Sequence, residues 1–284
     1  MKLIVNGFEA YAYTGGKPLD PALPAIVFVH GALNDHSVWT LLARWFAHHG
    51  HAVLAVDLPG HGRSAGPVLS SIADLADWVW TLLDAAGVHG NTALVGHSMG
   101  SLIALEAAAR QPARASHLAL LATAYPMKVS EALLNTAAAQ PDKAIAMVNQ
   151  FSFSSWASKP SYPGPGAWLQ GGEIALKRRI QSRQTEVNLF EHDFRLCDAY
   201  SGGLEAAAKV KAPSTLILGA RDQMTAPKQS KTLAEALQGA KTVMLPAGHS
   251  LMSEVPDALL AALRVALKAK ALGIRPSPIS DAAL

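Results

Sequence analysis

At 284 residues the chain is long for one domain, but α/β folds of this size form a single core with an insertion. A content of 50% hydrophobic and 16% charged residues supplies a large interior and excludes a disordered polymer. A net charge of +3, with Lys and Arg spread along the chain, argues against a nucleic-acid footprint, and the single cysteine, Cys197, excludes an internal disulfide and a thiolate metal site.

Residues 1–7 lack the long apolar segment of a signal peptide, and no apolar run approaches membrane-spanning length. The expectation is a soluble cytoplasmic protein. Residues 3–5 and 8–13, separated by Asn6-Gly7, predict a hairpin. Continuous apolar runs at 25–29 and 52–56 predict buried strands, with a helix over 37–49 carrying Val38, Leu41, Leu42, Trp45 and Phe46 at helical spacing. A loop rich in turn formers follows at 57–64, then a helix over 71–86 with Gly87 at its end. Further strands are predicted at 93–95, 118–121, 215–218 and 242–245, and helices at 101–110, 226–237 and 256–270. Apolar strands alternating with helices imply a mostly parallel sheet covered on both faces.

The rhythm breaks between about 125 and 203. Helix-like pieces at 130–139, 142–151 and 173–187 flank a Pro/Gly/aromatic segment at 160–166, with no buried-strand signal. The division expected is a core of residues 1–124 and 204–270, a helical cap insertion over 125–203 and a loose tail at 271–284.

One stretch carries the chemistry. The strand at 93–95 runs into Gly96-His97-Ser98-Met99-Gly100 and from there directly into a helix. Glycines on either side of a serine allow the sharp turn that exposes its hydroxyl beside a helix N-terminus, a nucleophile's position. A nucleophilic serine needs a base, and the base needs an acceptor. Such groups gather beyond the carboxyl ends of parallel strands. Asp222 follows the strand at 215–218, and His249 follows the strand at 242–245. Ser98, Asp222 and His249 are therefore the expected catalytic set, with Asp193, Asp198 and Glu131 as rivals for the acid. Asp57 to Ser64 reads as a structural loop, His97 as structural or pocket-lining, and Lys177-Arg178-Arg179 with Arg183 as a solvated helix face. Phe151, Trp156 and Trp168, with Phe153 and Met147, either line an apolar pocket or form the cap's own core. No spacing demands a metal, and no cofactor is expected.

The order Ser…Asp…His with G-x-S-x-G on an elbow resembles the α/β-hydrolase superfamily. Matching pieces are His30-Gly31, the run Asp57 to Ser64, Gly96 to Gly100, Gly219 to Asp222 and Gly248-His249, so the likeness covers most of the chain outside the cap. It is nearest to capped carboxylesterases, enol-lactonases and cofactor-free haloperoxidases or perhydrolases. Members with an aspartate nucleophile are excluded by Ser98. The resemblance implies an oxyanion hole from the backbone N–H groups of Ala32 and Met99, with Leu33 as alternative donor if the loop bends differently and as a pocket candidate. It implies a serine esterase acting on a small acyl substrate. The alternatives are a C–C bond hydrolase, a lactonase or thioesterase, a perhydrolase, or a ligand-sensing receptor on the same fold.

Overall fold

The computed structural model describes residues 1–155 and 168–268. Trp156, the segment 160–166 and the tail 271–284 lie outside the described residues. β1 (Lys2–Val5) and β2 (Phe8–Tyr13) pair antiparallel, and Asn6 and Gly7 take positive φ of 49° and 85°, the tight turn that Asn-Gly favours. Next come β3 (Ala25–Val29), α1 (Thr40–His48), β4 (Ala52–Val56), α2 (Ile72–Ala85), β5 (Thr92–His97), α3 (Met99–Arg110) and β6 (Ala115–Leu121). Five helices follow, with no strand among the described residues: α4 (Glu131–Ala139), α5 (Pro141–Ser152), α6 (Leu169–Arg183), α7 (Leu189–Ala199) and α8 (Gly203–Lys209). The alternation resumes with β7 (Ser214–Gly219), α9 (Lys231–Ala236), β8 (Lys241–Leu245), α10 (Leu251–Glu254) and α11 (Pro256–Ala266).

Several boundaries depart from the sequence reading. A 3₁₀ turn at His36–Trp39 precedes α1, and another at Pro227–Ser230 precedes α9. β6 starts at Ala115 because a register shift at Thr92/Ala93 keeps it paired, although Ser116 and His117 hide the strand in the hydropathy pattern. α7 is an unexpected helix. Asp193 sits on its buried face and interrupts the apolar period.

All eight strands form one sheet in the order β1-β2-β4-β3-β5-β6-β7-β8, parallel from β4 onward. Alternate side chains point to opposite faces, and both faces are buried. Val27, Leu54, Leu94, Leu118 and Leu216 meet α2, α3 and α8. Ile26, Val53, Val95, Ala119 and Ile217 meet α1 and α11 on the other side. A third cluster belongs to the segment between β6 and β7, where Leu134, Ile145, Ile180, Phe190 and Phe194 pack together. No helix among the described residues is long and apolar enough to cross a membrane.

The parallel register also fixes where the chemistry can sit. Val29 is level with Gly96, His97 with Leu121, and Gly219 with Leu245. The loops after β3, β5, β7 and β8 therefore leave the sheet at one rim.

Candidate active site

Ser98 is the hinge between β5 and α3. It holds φ 53° and ψ −121°, outside the broad allowed regions for a side-chain-bearing residue. Its N–H donates to the Leu121 carbonyl at 2.9 Å, so the neighbouring strand helps fix the turn. Glycine is required on both sides. A Cβ on Gly96 would lie 2.0 Å from the Gly100 carbonyl oxygen, and one on Gly100 would lie 2.3 Å from that of Val29. The Ser98 hydroxyl bonds to no described residue and opens onto a cavity that His249 also lines.

His249 Nδ1 stands 2.8 Å from Asp222 Oδ2. The second Asp222 oxygen accepts the N–H groups of Met224 and Thr225 at 2.8 and 2.9 Å. Thr225 Oγ1 adds a contact at 2.8 Å to Oδ2 and also lies 3.1 Å from His249 Nδ1. Burial alone would push the Asp222 carboxyl up, but His249 and these donors outweigh it and hold it below the usual value. An ionised Asp222 fixes a proton on His249 Nδ1, and Nε2 bonds to no described residue. The His249 loop is anchored twice more: Gly248 N–H donates to Glu254 Oε1 at 2.8 Å, and Ser250 N–H donates to the Ser152 carbonyl at 3.0 Å. Thr225 and Glu254 escape a motif reading because neither belongs to a recognisable pattern. Their one signal is proximity in sequence to Asp222 and His249.

The loop after β3 is held from the segment between β6 and β7. Asp193 of α7, fully buried, accepts the Leu33 N–H at 2.8 Å and His61 Nε2–H at 2.9 Å on the same oxygen. Burial would depress the His61 pKa, but Asp193 overcomes it and raises the value, while the Asp193 carboxyl falls far below its usual range. His61 Nδ1 faces the Pro59 carbonyl at 3.1 Å, so both ring nitrogens meet acceptors and the ring is held as a cation. His30, whose ring is tilted against it at 5.0 Å between centroids, is neutral, depressed to about 4 by burial and by His61. The expected alternatives at this loop thus separate. The Leu33 N–H is engaged by Asp193 and is not free for a substrate oxygen, and its side chain packs into the third cluster instead of lining the cavity. Leu33 is therefore corrected from pocket wall to structural anchor. Ala32 does line the cavity, and Met99 opens α3, where the first N–H groups lack partners within the helix. Asp193 is bound here, Asp198 accepts the Val129 N–H at 3.1 Å and Glu131 is exposed in the first turn of α4, so none of the three rivals takes the place of Asp222 at His249.

The cavity encloses about 360 Å³. Its walls are mostly apolar, with Val129, Leu133, Met147, Phe151 and Phe194 among them. Phe151 is therefore a lining residue, one of the two readings its sequence left open. Trp168 is not: it is 65% exposed and lies over Gly171 in the first turn of α6. His97 serves both expected roles. Burial and its neighbour His249 depress it to about 3, its Nε2–H donates to the His249 carbonyl at 2.9 Å, and it lines the cavity. Cys197 also lines it, but burial and Asp193 push the thiol up, leaving it protonated and a poor nucleophile. The basic run on α6 is not one solvated face. Lys177 is 3% exposed and points into the cavity wall, while Arg178 and Arg179 pair with Asp142 and Asp35 at 2.9 and 3.0 Å. Asp35, His36 and Asp57 bring ligand-type atoms within 4.8 Å of one another, the one such group among the described residues. Both Asp57 oxygens already accept protein hydrogens: the His36 N–H at 2.7 Å and the Arg63 N–H at 2.8 Å. The group orders the loop after β4, in keeping with its structural reading.

A family model for the α/β-hydrolase fold matches residues 24–256. RutD of Klebsiella pneumoniae subsp. pneumoniae, which is named for carbamate hydrolysis, is 28% identical over 266 residues, covering 88% of this chain and 93% of its own. The enol-lactonase of Burkholderia xenovorans superposes with a TM-score of 0.75 at 25% identity, over 94% of this chain and 100% of that one. An esterase from Exiguobacterium antarcticum shares the fold with a TM-score of 0.78 at 16% identity, over 94% and 99%. The chain belongs to the α/β-hydrolase fold family.

Proposed function

We propose that this protein is a serine hydrolase that cleaves small ester-like acyl substrates through an acyl-enzyme on Ser98. One observation carries the reading: an ionised Asp222 grips His249 Nδ1 at 2.8 Å, in the cavity onto which the elbow serine opens. Ser98 Oγ attacks the substrate carbonyl carbon while its proton passes to His249 Nε2. The carbonyl oxygen becomes negative and is held by the N–H groups of Ala32 and Met99; a donor of this kind is worth roughly 100- to 1000-fold in rate. His249 then gives its proton to the departing alkoxide, and the ester C–O bond breaks. Water enters, His249 takes its proton, and hydroxide attack on the acyl carbon releases the acid and restores Ser98. Helices α4 to α7 act as a cap that roofs the cavity over the strand-bearing core. Cyclic esters are a second substrate class, favoured by the likeness to the enol-lactonase along its full length.

The test is turnover of p-nitrophenyl butyrate by the intact protein and by Ser98→Ala. The intact protein should give steady multiple turnovers and take up a fluorophosphonate at one serine. Ser98→Ala should lose both, with kcat down by about 10⁵-fold or more and the melting temperature kept. Activity persisting in Ser98→Ala would point to another nucleophile. A single slow burst from the intact protein would point to a ligand sensor.

A further inference from the structure

Hydrogen-bonding capacity inside the cavity does not close within the protein. Lys177 has a side chain 4% exposed and bonds to one described partner, Glu173 Oε1, one turn earlier on α6. An ammonium carries three donors, so two remain unused inside a largely apolar chamber. Glu173 is fully engaged: its second oxygen accepts the Ser250 hydroxyl at 2.7 Å, and Lys177, Ser250 and His249 hold it ionised against burial. Donors left unmatched in the wall of a largely apolar cavity favour an occupant that brings them an acceptor.

We infer that the cavity selects acyl substrates carrying a neutral amide-type group, an amide or carbamate, whose carbonyl oxygen accepts from Lys177. This deepens the proposed hydrolase reading and rests on it. A carboxylate is the poorer fit. Glu173 already neutralises Lys177, so an incoming anion at the ammonium meets the Glu173 charge nearly as closely, and attraction and repulsion largely cancel. The desolvation cost of the anion is then left without compensation. An alkyl chain offers Lys177 no acceptor.

Three near-isosteric p-nitrophenyl esters separate these cases: N-acetylglycinate (neutral amide), 4-methylpentanoate (alkyl) and hemisuccinate (carboxylate). The intact protein should prefer the amide over the alkyl ester by about tenfold in kcat/KM, the worth of one net hydrogen bond. The double variant Glu173→Gln/Lys177→Met leaves no buried unpaired charge and should bring that ratio near one. Preference for the hemisuccinate, or an amide-to-alkyl ratio that survives the substitutions, overturns the inference. Equilibrium titration of Ser98→Ala protein with the same esters, followed by tryptophan quenching, should give the same order of affinities. If the intact protein turns over none of the three, the hydrolase reading fails, and this binding order still decides the role of Lys177 separately.

Discussion

Asp222 shows how neighbouring donors set the charge of a buried carboxyl. Its carboxylate stays ionised while only 4% exposed because four hydrogens reach it, from Met224, Thr225 (two) and His249. Asp222→Asn keeps the shape but places an amide N–H where His249 needs an acceptor, and so favours the wrong tautomer. The expected result is a fall in kcat of about 10⁴-fold with little change in KM, read with p-nitrophenyl butyrate. Thr225→Val removes the hydroxyl contact to Oδ2 but leaves two backbone donors in place. It should lower kcat far less than Asp222→Asn; equal losses would show that the hydroxyl, and not the carboxylate, orients His249.

At the scale of elements, α7 reaches across to the β3 loop through Asp193. A buried ion pair is weak support in itself, but removing one partner leaves the other charged and unsolvated. Asp193→Ala should therefore destabilise by about 3–5 kcal/mol in urea unfolding. It should also depress kcat, because the Leu33 N–H loses its acceptor next to Ala32. The pH dependence follows from the two shifts. His61 has a raised pKa in the folded state, so its contribution is complete below its usual 6.5 and is lost as pH rises through the raised value. Asp193 has a depressed pKa, so its contribution is present above its usual 3.8 and is lost as pH falls towards the lowered one. The pair stabilises most between those limits. Asp193→Asn should remove the fall in unfolding free energy that the pair contributes above pH 6.5 and below pH 3.8. An unchanged profile would mean that other groups set it.

For the whole molecule, the sheet divides two interiors, and β5 runs through its middle with Leu94 on one side and Ala93 and Val95 on the other. Leu94→Ala leaves a cavity that backbone pairing on both edges keeps from collapsing, and should cost about 2–5 kcal/mol. Val265→Ala, at a position 77% exposed on α11, should stay within about 0.5 kcal/mol. Urea midpoints at constant m would distinguish the two. A comparable loss at both positions would mean that the outer helix carries stability its exposure does not suggest.

Local physics wrote the core into the chain. Apolar runs bounded by turn residues read as buried strands, and Gly96 and Gly100, set between a strand and a helix, read as a turn too tight for side chains. Parallel pairing then made strand ends the sole place for Ser98, Asp222 and His249 to gather. Period and propensity act over a few residues, so they carry that much. They carry no record of partners a hundred residues away. Asp193 broke the pattern of its own helix because its partners, Leu33 and His61, are distant in sequence. Lys177 looked like part of a basic surface because neither its counter-charge Glu173 nor the cavity wall it joins can be told from a solvated helix face by spacing. Those assignments depend on which helix face turns inward, and packing against the rest of the protein decides that.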